Sequence, residues 1–266
     1  MVSDSLTDIL VQIVLPFFLS AMIVVGVTVL AERLGTKVGG ILGTLPHLII
    51  IAFVFIALNK GEDFASRAAV VVPAEIGINI LFLFTFAHYC HHSLARALMV
   101  SLSLWLILSG LLVWSELSSM PISFLVFLAC WGFTYYVTER VKTVRSVGSV
   151  KVKYTPRKVV GRGVLAGIVI AFSVVMSNVG SAISGIFSVF PAMFLSAMVI
   201  SLREHGPDFA GGLSKAMVFG TPAVMSYGVC VHYLYPELGL LVGTVASTVI
   251  AVGVGLTMLA LRNRIA

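Results

Sequence analysis

The sequence predicts an all-α polytopic membrane protein in which nine transmembrane helices form two inverted four-helix repeats joined by a linker helix. Residues 1–266 then make a single membrane domain. Three observations predict this: the composition, nine long apolar runs, and an internal duplication. Hydrophobic residues make up 59% of the chain and charged residues 11%, whereas about a quarter of the residues in an ordinary soluble domain are charged.

Each apolar run comes close to the length of about 20 residues that a helix needs to cross a bilayer. The runs cover residues 9–31, 38–58, 64–88, 94–115, 119–138, 160–179, 183–202, 209–233 and 237–261. The three cysteines, Cys90, Cys130 and Cys230, are scattered along the chain. An odd, scattered set indicates no disulfide framework.

The duplication joins residues 36–65 to residues 181–210 at a constant offset of 145 without a gap. Shared hydrophobic composition alone would preserve residues such as Leu and Val. It does not explain a match that also preserves a proline and an aspartate. The segment is therefore an internal repeat. The identical pairs are Gly40/Gly185, Ile41/Ile186, Pro46/Pro191, Ala52/Ala197, Val54/Val199, Gly61/Gly206, Asp63/Asp208, Phe64/Phe209 and Ala65/Ala210.

The same offset pairs the first four runs (repeat 1, residues 9–115) with the last four (repeat 2, residues 160–261). It leaves the fifth run, residues 119–138, as an unpaired linker helix. One unpaired helix makes the second repeat enter the membrane from the opposite face.

The charge distribution predicts the orientation, since cytoplasmic loops are rich in Lys and Arg. Eight of the 17 basic residues fall in residues 139–163, so the loop 139–159 is expected to be cytoplasmic. The cell membrane is the expected location, with the N-terminus outside and the C-terminus in the cytoplasm.

Prolines mark the expected breaks in the helices. Pro46 and Pro191 fall within the second and seventh runs, and each follows small residues that allow close helix approach. The third and eighth runs contain further prolines. The alternative is that Pro and Gly are simply commoner in membrane helices. The predicted helix-breaking or gating positions are Pro46, Pro191, Pro73, Pro222, Gly40 and Gly185.

Ionisable side chains at membrane depth indicate function, because burying a charge there is costly. Glu75 falls near the middle of the third run, His47 follows Pro46, and Asn79 lies one helical turn beyond Glu75. We expect these three to form one cluster for proton coupling or cation binding. A static hydrogen bond between helices is the alternative. Repeat 2 has no matching acid, so one central site is expected.

Two basic residues, Arg67 and Lys215, fall about one turn inside the third and eighth runs. They either extend to the membrane surface or line an anion path from both ends. The predicted substrate- or ion-binding residues are His47, Glu75, Asn79, Thr44, Ser188, Arg67 and Lys215.

Metal and cofactor sites are not expected. The segment from His88 to His92 has metal-binding residue types, but consecutive residues at a helix end point in different directions. No cofactor, no catalytic residue and no nucleic-acid partner is predicted.

The elements Gly-Ile-Phe-Ser-Val-Phe-Pro at 185–191 and Gly-Ile-Leu-Gly-Thr-Leu-Pro at 40–46 are similar to a motif in small four-helix bacterial membrane proteins of the GlpM type. This resemblance implies no particular binding residue. The overall plan also resembles the relation between small multidrug-resistance proteins and drug/metabolite transporters.

These features together predict a secondary transporter that moves a small solute or ion by alternating access, with protons as a candidate coupling ion. Its expected partners are the lipid bilayer and that substrate, and a homodimer is left open. A channel, a lipid flippase and an intramembrane enzyme are the alternatives. An enzyme is disfavoured because the sequence lacks a His-Glu-x-x-His motif. The sequence also lacks a Walker motif, which excludes self-contained ATP-driven transport.

Overall fold

The computed structural model describes residues 9–44, 46–138 and 155–265, without the side chains of 30–44 and 262–265. These ranges contain helices and turns and no strand. A π-helical turn, Leu10–Val14, comes first. The helices are α1 Leu15–Thr44, α2 His47–Lys60, α3 Glu62–Ala69, α4 Val72–Tyr89, α5 Leu94–Trp114, α6 Met120–Tyr136, α7 Pro156–Met176, α8 Ser181–Ser188, α9 Ala192–His205 and α10 Pro207–Ile265.

The chain is all-helical and apolar enough to be membrane-embedded. Within the described ranges, six helical segments are long and apolar enough to cross a membrane, and α2 and α6 are shorter apolar helices. Large apolar side chains lie on the outside, among them Trp114 at 83% exposure and Leu241 at 77%. The long segments are Leu10–Val29, Val72–Tyr89, Leu94–Trp114, Pro156–Met176, Ser181–His205 and Pro207–Leu261.

Three boundaries differ from the expected ones. The loop expected between the first two runs is helical, because α1 continues to Thr44. The eighth and ninth runs lie in one helical stretch, α10, which is interrupted at Gly239 with φ 72° and ψ 175°. The basic loop was expected to extend to residue 159, but α7 already begins at Pro156. The rest of that loop, up to residue 154, lies outside the described residues.

The two copies of the duplicated segment have the same local backbone. Helices α2 and α9 each contain 14 residues. They follow Pro46, with φ −77° and ψ 34°, and Pro191, with φ −74° and ψ 35°. They end at Gly61, φ 87°, and Gly206, φ 84°, in a region of backbone space that favours glycine.

The first helices of the two repeats, α1 and α7, pack closely and run antiparallel. A methyl group added at Gly163 would lie 2.9 Å from the carbonyl oxygen of Ala21. One added at Gly167 would lie 2.7 Å from the carbonyl oxygen of Phe17. The residue number rises in α7 while it falls in α1. Glycine is needed at both positions because the backbones nearly touch.

The third and eighth runs are a second antiparallel pair, formed by α3 and α4 against α10. Near the start of α3, the hydroxyl of Ser66 donates to the carbonyl oxygen of His232 at 2.7 Å. Near the end of α4, the hydroxyl of Ser214 donates to the carbonyl oxygen of Leu83 at 3.0 Å. Between these contacts, Gly228 lies directly against Val72. Helices that the duplication makes equivalent therefore cross in opposite directions.

Helix α4 forms the centre of the molecule. Every residue from 71 to 80 is buried, and α5, α6, α8 and α10 all pack around it. The expected linker helix α6 is one of these neighbours. The backbone N–H of Ala74 donates to the Ser123 hydroxyl of α6 at 2.9 Å, which satisfies a free amide in the first turn of α4.

Candidate functional site

Glu75 is a fully buried carboxyl, with 0% of its surface exposed. It lies in the first turn of α4, about midway between Glu62 at the start of α3 and Tyr89 at the end of α4. This is also between the Ser66 and Leu83 contacts, so Glu75 lies where the antiparallel pair crosses. The expectation that Glu75 faces the protein interior is confirmed.

The carboxyl of Glu75 is bound by α5. The hydroxyl of Ser109 lies 2.9 Å from Oε1 and 3.1 Å from Oε2, and its single proton can be donated to one oxygen at a time. The indole of Trp105 lies on the same side of the carboxyl. Its N–H makes no hydrogen bond of good geometry within the described part of the chain.

Asn79 lies one turn along α4 and contacts the second repeat. Its amide Nδ2 donates to the carbonyl oxygen of Val189 at 2.7 Å. Val189 ends α8, two residues before Pro191. Since a carbonyl oxygen only accepts, this bond fixes which way the amide points. The side-chain oxygen Oδ1 is buried and has no hydrogen-bond partner among the described residues.

Aromatic rings connect Glu75's neighbours to the same break in the second repeat. The Trp105 ring centroid lies 4.9 Å from that of Phe190 and 6.0 Å from that of Phe187, both edge-on. Edge-to-face pairs of this kind stabilise packing. The α8–α9 break is therefore held against α4 and α5 by one hydrogen bond and two aromatic contacts.

Three of the four expected helix breaks are present in the structure. Pro46 separates α1 from α2, Pro191 separates α8 from α9, and a turn at Val70–Val71 precedes Pro73 in α4. Gly185 of α8 packs on that turn, where an added methyl group would overlap the carbonyl oxygen of Ala68.

The predicted break at Pro222 is wrong, because Pro222 lies inside continuous α10. A proline removes the N–H that would bind the carbonyl four residues earlier, here Val218. That oxygen instead accepts from the hydroxyl of Thr221 at 2.8 Å and from the indole of Trp131 in α6 at 3.3 Å. Pro236 is accommodated in the same way, because the carbonyl of His232 accepts from Ser66.

The expected cluster of Glu75, His47 and Asn79 stays a prediction. Glu75 binds Ser109, and Asn79 binds Val189. His47 is half-buried and begins α2. Sequence reasoning missed Ser109, although a signal exists: the buried residues of α5 recur every fourth position, at Ala97, Ser101, Trp105 and Ser109.

The remaining predicted binding residues lie apart from Glu75 in the chain and have different surroundings. Arg67 is exposed, and its guanidinium stacks over Phe64 at 5.9 Å, so it does not line an interior path. Lys215 is half-buried on α10. Ser188 is buried and donates to the carbonyl of Gly185 in its own helix at 2.6 Å. The side chain of Thr44, and any contact at Gly40, lie outside the described residues, so their predicted roles stay predictions.

The described parts of the chain contain no group of three or more His, Cys, Asp or Glu residues that could hold a metal ion. Their cysteines Cys90, Cys130 and Cys230 are free thiols.

Polar contacts join the ends of the repeats. Gln12 donates to Asn59 at 2.9 Å, and Asn59 donates to Ser177 at 2.7 Å. Asn178 donates back to Gln12 at 2.9 Å. These bonds tie the start of repeat 1 and the end of α2 to the end of α7. At the other end, Lys158 of α7 pairs with Glu204 of α9. Asn59 and Glu204 are equivalent under the duplication.

Comparison with known families gave one match. Residues 13–118 match a family model described as "Protein of unknown function (DUF3147)". This segment covers the first four apolar runs, and it ends just before α6. The comparison with curated proteins found no match, and the comparison with solved structures found none.

Proposed function

We propose that this chain is a secondary transporter that moves a small solute or ion by alternating access, with Glu75 carrying the coupling proton. The observation that carries the proposal is the position of Glu75, which is completely buried where the third and eighth runs cross. A carboxyl at that depth is expensive, and in membrane proteins such groups mark ion pathways and proton relays.

The choice of a proton as the coupling ion is based on the surroundings of Glu75. Helices α6 and α8, which pack on α4, contain no Lys, Arg or His, and the hydrogen bonds given to the carboxyl come from the neutral Ser109. A bound proton would neutralise the buried carboxyl. Glu75 is therefore suited to take up and release the coupling proton.

Alternating access requires two half-structures of opposite orientation. The proposal includes nine spans arranged as two inverted repeats. The antiparallel crossings of α1 with α7 and of α4 with α10 support the inversion. The shared backbone of α2 and α9 supports the equivalence of the copies. The family match supports a four-helix unit, since it stops where repeat 1 stops.

The orientation belongs to the same proposal. With the N-terminus outside, the Gly61 turn faces the exterior and its duplicate at Gly206 faces the cytoplasm. The basic loop then lies on the cytoplasmic side of the cell membrane, in agreement with the positive-inside rule.

The test begins by finding a ligand. A panel of small solutes is screened for compounds that raise the melting temperature of the purified protein in detergent. The stabilising compound, radiolabelled, is then offered to proteoliposomes with and without an imposed pH gradient. We expect uptake that saturates, is stimulated by unlabelled compound inside the vesicles, and responds to the gradient. Linear uptake without counterflow would indicate a channel.

The variant that tests Glu75 is Glu75→Gln, because the amide keeps hydrogen bonds to Ser109 but cannot release a proton. It should lose the response to the pH gradient. The same substitution at exposed Glu237 is the matched control and should behave as wild type. Wild-type uptake in Glu75→Gln would remove this residue from the mechanism.

A further inference from the structure

Two oxygen-bearing side chains lie on one face of α4 at the centre of the protein, and one of them has an oxygen without a partner among the described residues. Glu75 and Asn79 are one helical turn apart, so their side chains are neighbours, and both are 0% exposed. Asn79 Oδ1 has no hydrogen-bond partner in the described part of the protein. A buried acceptor left in this way bears the cost of its lost hydration, and such atoms call for a partner.

The orientation of these oxygens is fixed from two sides. The bond from Asn79 Nδ2 to the Val189 carbonyl commits the nitrogen to the α8–α9 break, which leaves Oδ1 for another partner. Ser109 holds the Glu75 carboxyl from α5 and contributes a third oxygen. The group offers a carboxylate, an amide oxygen and a hydroxyl, with no imidazole or thiolate among them.

An all-oxygen set with one negative charge suits a hard cation. We propose that Glu75 and Asn79 bind Na⁺, with help from Ser109. A single carboxylate balances one positive charge, which favours a monovalent ion over a divalent one. This inference deepens the proposed function, since it names an ion that the proposed transporter binds at the same site.

The helices packed around α4 carry further titratable residues, and α8 carries none. They are Arg96 on α5, Cys130, Tyr135 and Tyr136 on α6, and Asp208, Lys215, Tyr227, Cys230, His232, Tyr233, Tyr235, Glu237, Arg262 and Arg264 on α10. Arg96 lies in the first turn of α5, more than three turns from Ser109. His232 binds Ser66 at one end of the antiparallel pair.

The test measures binding without transport. The melting temperature of the purified protein in detergent is followed at pH 8 against NaCl, with choline chloride keeping the ionic strength constant. We expect a saturable upward shift with Na⁺ that choline does not produce. Radioactive ²²Na⁺ binding by equilibrium dialysis should also be saturable.

Glu75→Gln should lose both the shift and the ²²Na⁺ binding, whereas Glu237→Gln should keep them. Equal melting of the wild type in NaCl and choline chloride would overturn the proposal. So would a Na⁺ shift unchanged in Glu75→Gln. If that variant does not fold, ²²Na⁺ binding by the wild type decides alone, and the absence of saturable binding would overturn the proposal.

The outcomes also separate this inference from the proposed function. Loss of every Na⁺ effect with pH-driven uptake intact would refute the Na⁺ site and leave the transporter standing. Specific Na⁺ binding without uptake of any screened solute would support the site and count against transport.

Discussion

The side-chain amide of Asn79 donates a hydrogen bond to the carbonyl oxygen of Val189, 2.7 Å away. The bond joins the central helix α4 of one repeat to the end of α8 in the other, directly before the break at Pro191. Glu75 lies one turn from this contact. One turn of α4 and one hydrogen bond therefore connect Glu75 to the α8–α9 break.

Replacing Asn79 should destabilise the protein. Asn79→Val introduces the residue found at the equivalent position of repeat 2, Val224, and leaves the Val189 carbonyl buried without its donor. We expect a loss of about 1–3 kcal/mol in unfolding free energy, measured by chemical denaturation in detergent micelles. Asn178→Val, at an exposed position, should cost less. Equal stability of wild type and Asn79→Val would show that the bond is unimportant.

Gly185 should not tolerate a side chain. Gly185→Ala places a methyl group onto the carbonyl of Ala68 and against Val71, and overpacking of this kind costs about 1–3 kcal/mol. The control is Gly110→Ala, where nothing lies within 4 Å and better helix propensity should slightly stabilise the protein. Thermal unfolding of the two variants side by side tests this. An unaltered melting temperature in Gly185→Ala would contradict the packing of α8 on the α3–α4 turn.

The two prolines Pro191 and Pro222 should respond differently to removal. Pro191→Ala allows α8 and α9 to join into one helix. Under the proposed function, loss of this break should slow transport severalfold. Pro222→Ala changes a proline that already lies in a continuous helix, so uptake should stay near wild type. Initial rates in proteoliposomes, corrected for the amount of reconstituted protein, make the comparison. Equal loss in both variants would rule out a special role for the α8–α9 break.

The paired breaks were predictable because the duplication retains Pro46 and Pro191 at equivalent positions. The failure at Pro222 has a tertiary cause, since Thr221 and Trp131 bind the carbonyl that the proline leaves free. No local sequence pattern predicts that the indole N–H of Trp131, 87 residues away from Val218, donates to this carbonyl.

Part of the candidate site was also predictable from the sequence. Charge at membrane depth identified Glu75, and helical spacing identified Asn79. The partner of Glu75 depends on which face of α5 meets α4, which sequence spacing within α4 alone does not give. The extension of α1 was not predicted because residues 32–37 separate the apolar runs 9–31 and 38–58. The charged residues in this gap, Glu32, Arg33 and Lys37, are nevertheless good helix formers.

The central claim is that the two copies of the duplicated segment enter the membrane from opposite faces. The direct test uses equivalent positions, Lys60→Cys and His205→Cys, each alone in a chain whose three native cysteines are replaced by serine. Both positions are exposed and precede the matched turns at Gly61 and Gly206. An impermeant maleimide is applied to intact cells and, separately, to permeabilised cells.

The account predicts that the cysteine at position 60 is labelled in intact cells, and that the cysteine at position 205 is labelled only after permeabilisation. Labelling of both positions from the same side of the membrane would contradict the inverted repeat and the alternating-access proposal built on it.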